Sequence, residues 1–245
     1  MAATPLLNVP EASAQAAMYQ RYFDEEGLTA ETVLNAVDLT YQRADVFLRD
    51  ALDVFAESGQ FESACTAGCG YCCHTLVSVL PHEALHVAHF IENDVSVEER
   101  EAFKKAVRES YQRFDGMDGF ARYTERAACP FLDPKSWDCR LHVARPTVCR
   151  AMHSGSLASC KKAYEKRDPT VPTVSMKMFF EYRDSSYAGI STALNARGLH
   201  VKPVELNAAL VIIWDSKEDA MSRWLAGEDI FADALVSRST KVTAE

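Results

Sequence analysis

The chain has 245 residues, 48% hydrophobic and 25% charged, long enough to bury a sizeable core without covalent staples. Its 35 acidic side chains outnumber 26 basic ones, and the formal net charge of -9 works against attraction to nucleic acid or to an anionic membrane surface. The amino terminus, MAATPLLNVPEASA, lacks the basic and continuous apolar regions of a secretory signal, and no apolar run approaches membrane-spanning length. A cytoplasmic location is therefore expected. Nucleic acid and membrane are excluded as expected partners, which leaves an unidentified protein or small molecule.

No Pro/Gly/Ser-rich linker divides the chain, so a single domain over 1–245 is expected. Within it, 1–61 are read as N-terminal helices, 62–160 as a cysteine-cluster metal-binding core and 161–245 as C-terminal helices. In 29–57 the apolar positions Val33, Leu34, Val37, Tyr41, Ala44, Leu48, Ala51, Leu52 and Phe55 step by three or four, and Gly59 follows as a stop. Pro81 opens a second helix carrying Leu85, Ala88 and Ile91. Ser96 and Glu99 form a capping-box pattern ahead of a third, with Phe103, Val107, Tyr111 and Phe114 facing inward. Beyond the cysteines, Met176, Phe179, Phe180, Tyr187, Ile190 and Leu194 mark a long helix closing at Gly198. Pro203 is read as the start of another through Ile213, and Ser216 with Asp219 as the cap of a last one reaching Trp224 and stopping near Gly227. Strand signals are confined to 75–80 and a few residues around Phe131 and Arg140. The expected class is mainly α, a helical domain wrapped around a central cysteine-rich metal-binding region with short irregular or strand segments.

All eight cysteines, Cys65, Cys69, Cys72, Cys73, Cys129, Cys139, Cys149 and Cys160, fall in the middle of the chain, and residues 1–64 and 161–245 contain none. In a reducing compartment such a cluster points to metal ligands or reactive thiols more than to disulfides. Soft, negatively charged thiolates converge when zinc or an iron–sulfur core offsets their repulsion. Cys69 and Cys72 enclose Gly70 in a tight knuckle, while adjacent Cys72 and Cys73 suggest one ligand and one supporting or reactive thiol. Seven or eight thiols exceed the needs of one centre. The compact Gly-rich triplet favours a 4Fe-4S cluster with a redox or cofactor-handling role; zinc in a structural or interaction module is the alternative.

The segment CTAGCGYCC, followed by Cys129-Pro-Phe-Leu, Cys139 and Arg145-Pro-Thr-Val-Cys149-Arg150, resembles the YkgJ-type cysteine cluster family of zinc- or iron-chelating proteins over about residues 62–153. The resemblance implies that Cys65, Cys69, Cys72, Cys73, Cys129, Cys139 and Cys149 are the metal-binding set; Cys160 lies outside the aligned part. A similar region occurs in flagellin lysine methylase, which uses S-adenosylmethionine, so the resemblance makes metal-dependent protein methylation a further candidate activity. No Gly-rich strand-turn-helix signature of a Rossmann methyltransferase is present. The spacing of Cys65, Cys69 and Cys72 is also similar to the loop of radical S-adenosylmethionine enzymes. A long helix precedes it and no strand–helix alternation follows, so the spacing is read as support for an iron–sulfur cluster rather than for radical chemistry.

Arg145 and Arg150 flank Cys149, either to bind a cofactor or substrate carboxylate or phosphate or to neutralise the thiolates. His142 is a packing residue or an added ligand. His74 and His153 stand beside cysteines as candidate ligands or proton carriers, with packing or surface roles the simpler reading. His82, His86 and His89 share helical spacing, but their neighbours suggest an exposed face. Lys161, Lys162, Lys166 and Arg167 read as a solvated face.

Overall fold

The computed structural model describes residues 7–236. The opening residues 1–6, on which part of the reading of the amino terminus rests, and the last residues of the C-terminal region, 237–245, lie outside the described residues. Helix α1, Ala12–Glu26, turns Gln15, Ala16, Tyr19 and Phe23 inward at steps that keep them on one face. Helix α2, Ala30–Glu57, is the long amphipathic element, and Gly59 takes the left-handed conformation just past its end. Its N-cap is reciprocal. Thr29 Oγ1 accepts from the Thr32 backbone N–H at 3.1 Å and Thr32 Oγ1 accepts from Thr29 N–H at 2.9 Å.

Helix α3, Pro81–Asn93, starts on its proline, as read. Its surroundings differ from expectation: His82 is 1% exposed, and Glu83 and His86 are buried with it. The helix is covered because α2 and later helices pack around it, a tertiary fact that the local sequence does not carry. Helix α4, Val97–Phe114, forms half of its capping box: Ser96 Oγ accepts from Glu99 N–H at 3.2 Å. The Glu99 carboxylate turns instead to Arg140 at 2.9 Å and ties α4 to the cysteine loops.

Three short helices were not read from the sequence: α5, Gly119–Thr124; α6, Thr147–Arg150; and α7, Leu157–Lys166. Helix α8, Lys177–Asn195, ends ahead of left-handed Gly198. It crosses α1 closely at Gly189, where a Cβ would collide with the Gln15 side chain and lie 3.1 Å from the Ala16 backbone nitrogen.

Helix α9, Leu206–Asp215, starts later than Pro203. The reason is pairing: β2, Val204–Glu205, lies antiparallel to β1, Ser78–Val79, with Ser78 opposite Glu205 and Val79 opposite Val204. Glu205 then caps α9, its carboxylate accepting from Ala208 N–H at 2.7 Å. In α10, Ala220–Leu225, the cap is Asp219 alone, accepting from Ser222 N–H at 2.7 Å. Ser216 instead accepts from Arg223. The architecture is mainly helical, as expected.

A main core joins Tyr19, Leu85, Ile91, Phe103, Phe131, Ile190, Leu194 and Trp224 with their neighbours. A smaller cluster joins Leu48, Ala51, Phe61, Ala151 and Phe179. Both border the cysteine region: partly buried Cys129 and Cys139 pack on the first, and Ala151, just after Cys149, lies in the second.

Candidate metal centre

Four stretches bring the thiols together. Cys65 lies in irregular chain, exposed, where Ser154 N–H points at its sulfur at 3.3 Å and Ala64 N–H bonds Ser154 O at 2.7 Å. Gly68, with φ 78°, turns the chain toward Cys69, and its N–H donates to Asp138 Oδ1 at 2.7 Å. Gly70 allows close approach: a Cβ would sit 2.7 Å from Leu132 Cδ1. Cys72 and Cys73 follow in a 3₁₀ turn, Tyr71–His74. Cys129 N–H donates to Cys73 O at 2.7 Å, and Cys139 forms a β-bridge with Leu132, so the 129–139 hairpin lies against that turn. Cys149 sits within α6.

All eight cysteines are free thiols. Burial, then the nearby thiols of Cys72 and Cys139 and the Glu83 carboxylate, push Cys149 up to about 12; Arg145 opposes the rise. Burial also raises Cys129, Cys139 and Cys69. Cys72 is raised first by its hydrogen bond with Cys73 and then by burial. These two neighbours therefore face each other instead of diverging.

Against this rise stand fixed dipoles. The sulfurs of Cys69, Cys129 and Cys139 each receive the backbone N–H two residues ahead, from Tyr71, Phe131 and Leu141. Such N–H···S turns favour the thiolate, the form that binds metal. Each raised thiol is protonated at neutral pH, so a cation that enters must displace protons, and it then supplies the charge that burial denies to a bare thiolate. This donor set fits a thiophilic metal. Among the described residues no three His, Cys, Asp or Glu side chains already stand in the closed arrangement of a bound ion.

The two arginines separate. Arg145 faces Cys72, Cys139 and Cys149, lowering the pKa of each, and its buried Nε has no hydrogen-bond partner. Arg150 is 4% exposed and committed to the chain. Its Nε donates to Arg145 O at 2.9 Å, one Nη to Val143 O at 2.5 Å and the other to Asp45, with its guanidinium 4.3 Å from the centre of the Tyr41 ring. Those bonds hold the loop before Cys149.

Glu83, whose role the sequence did not suggest, pins the opposite side. Its carboxylate accepts from Thr147 N–H at 2.8 Å, at the start of α6, and from Tyr187 Oη–H at 2.7 Å.

Three histidines border the cysteine region. His74 is buried, its Nδ1 3.0 Å from Gly70 O, and burial lowers its pKa. His153 hydrogen-bonds Ser63 at 3.3 Å and packs on Phe179. His142 is exposed among Arg145, Arg150, Asp45 and Asp138.

The rings of Tyr71, His74, Trp137 and Tyr164 pack together with centroids 4.7–5.7 Å apart for the pairs formed, edge to face except for the tilted pair His74–Trp137. They join the 3₁₀ turn, the 133–138 loop and α7. Cys160, on α7, comes within electrostatic reach of Cys69.

No helix among the described residues is long and apolar enough to cross a membrane. Neither the curated proteins nor the solved structures contain a match to this chain. Residues 64–178 match the CxxCxxCC family, described as a "putative zinc- or iron-chelating domain", and this span takes in all eight cysteines and both arginines. With its converging thiols, the segment 64–178 is similar to the CxxCxxCC family over a little under half of the chain.

Proposed function

We propose that the chain is a cysteine-ligated metal protein carrying an iron–sulfur centre with a redox or cofactor-handling role. The observation that carries this reading is the set of sulfurs met by backbone N–H groups: Cys65 from Ser154, Cys69 from Tyr71, Cys129 from Phe131 and Cys139 from Leu141. Hydrogen bonds of this kind stabilise metal-bound sulfur and tune its reduction potential. The spacing of Cys65, Cys69 and Cys72, and more thiols than one tetrahedral ion uses, favour a cluster over a single ion.

A bound iron–sulfur cluster would supply one-electron exchange. The chain's own residues do the rest. Arg145 balances negative charge on Cys72, Cys139 and Cys149. Glu83 and Arg150 fix the two sides of the segment that presents Cys149. Exposed Cys65 sets one edge of the thiol group at the surface, within reach of a protein or small-molecule partner.

Zinc is the second reading, favoured by the partly buried trio Cys129, Cys139 and Cys149, whose thiols are close enough to raise one another's pKa and would have to converge further to ligate one ion of a structural site. Anaerobic isolation followed by iron, sulfide and zinc analysis and a visible spectrum separates the two. The proposal expects a coloured protein with iron and matching sulfide. Colourless protein with stoichiometric zinc would overturn it in favour of the structural site.

A further inference from the structure

Helix α3 carries His82-Glu83-Ala84-Leu85-His86, two histidines one turn apart with an acid between them. Residues four apart lie on one face of a helix, so both imidazoles leave α3 on the same side, a spacing that suits shared ligation of one cation. Both are buried, His82 at 1% and His86 at 7% exposure, and neither Nδ1 has a hydrogen-bond partner. A buried ring nitrogen left unpaired costs free energy, so two on one helical face call for an occupant.

The opposing helix α2 fixes which tautomer His86 presents. Asp38 Oδ1 lies 2.8 Å from His86 Nε2. A carboxylate only accepts, so Nε2 carries the proton and Nδ1 keeps its lone pair. Burial lowers the pKa of both histidines and leaves the rings neutral at pH 7, the form that binds metal. A carboxylate behind the far nitrogen is the arrangement that orients a metal-bound imidazole. Tyr41, three residues after Asp38 on α2, stands edge to face against His86 with centroids 5.3 Å apart, and its buried Oη is unpartnered as well.

Glu83 is not free to act as the general base that accompanies this spacing in metal hydrolases. Its carboxylate accepts from Leu80 N–H at 3.3 Å, Thr147 N–H at 2.8 Å and Tyr187 Oη–H at 2.7 Å. The arrangement therefore binds without hydrolysing. Among the described residues no third His, Cys, Asp or Glu completes a closed set with the pair, so water fills the remaining positions on an ion. Imidazole donors select the zinc, nickel and copper class over magnesium or calcium.

We infer that His82 and His86 form a histidine site for a divalent cation of that class, distinct from the thiols, each ligating through Nδ1, with Asp38 as the residue that positions His86. Asp38 is about half exposed and marks the side from which the ion enters. The site does not depend on which metal the cysteines hold.

The test uses the full chain, desalted after its cysteines have been loaded with iron and sulfide or with zinc, and nickel(II) as the probe, because nickel has its own X-ray absorption edge. Equilibrium dialysis counts the nickel taken up, and the absorption spectrum reads its first shell. A single nickel ion per chain, in a shell of nitrogen and oxygen, is expected. His86→Gln is expected to abolish this binding. Asp38→Asn, a change at the surface, is expected to weaken it about tenfold or more, and Asp38→Glu to retain most of it. His200→Gln, at an exposed histidine beside Asp229, is expected to change nothing. Circular dichroism checks helical content in each variant. Absence of nickel uptake, a first shell of sulfur, or unchanged affinity in His86→Gln overturns the site, and unchanged affinity in Asp38→Asn overturns the positioning role of Asp38.

Discussion

Arg145 and Arg150 belong to one short motif, yet their surroundings give them opposite work. Arg145 keeps its charge turned to Cys72, Cys139 and Cys149 with Nε unpartnered, so its removal takes away a cation that those three thiols share. Arg145→Gln is expected to leave thermal stability nearly unchanged and to weaken metal retention against a chelator by about tenfold or more, with Arg145→Lys in between. Arg150→Ala is expected to do the reverse at first hand. It strands Asp45 and two loop carbonyls and costs about 2–3 kcal/mol, measured by denaturant unfolding of the metal-free protein. Equal losses of metal affinity without destabilisation in both variants would contradict this division.

At the scale of elements, α3 is the helix whose environment departs most from its local pattern. Burial drives His82 down to about 3, and its Nδ1 has no partner. A histidine whose folded pKa is depressed contributes stability that is fully present above its unfolded pKa, near 6.5, and that is lost as pH falls toward 3. The unfolding free energy is therefore expected to decline as pH drops below about 6.5, and His82→Leu to flatten that decline. An unchanged slope in the variant would show that other groups govern acid sensitivity.

The sequence exposed those helices whose apolar steps and caps agree. Thr29 and Gly59 bracket α2, Pro81 opens α3, Ser96 caps α4 and Gly198 closes α8. Helix α1 left a weaker trace because Glu11 provides no side-chain cap and its buried face is built from Gln15 and Ala16 against Gly189. Pro203 misplaced the start of α9 because the next two residues pair with β1, a contact more than a hundred positions away in sequence. The convergence of thiols was legible in their density. The burial of His82, the division between Arg145 and Arg150, the anchoring by Glu83 and the approach of Cys160 to Cys69 all depend on which helices meet, and no local signal encodes that.

Across the whole molecule, the cysteine loops are the joint between two apolar clusters, one centred on Phe103, Phe131 and Trp224 and one on Leu48, Phe61 and Phe179. Each cluster is helix-built, so stripping metal is expected to leave helical content near its loaded value. Amide exchange should rise selectively in residues 60–80 and 129–160, where short turns and loops hold the thiols. Uniform acceleration over α2, α3 and α8 would mean that metal and global fold are inseparable.

The claim on which everything else depends is that sulfur from these cysteines holds the metal. X-ray absorption at the edge of the bound metal, recorded on the anaerobically loaded full chain, reads that first shell directly. The prediction is a shell of sulfur at about 2.3 Å. A first shell made only of nitrogen and oxygen would contradict it.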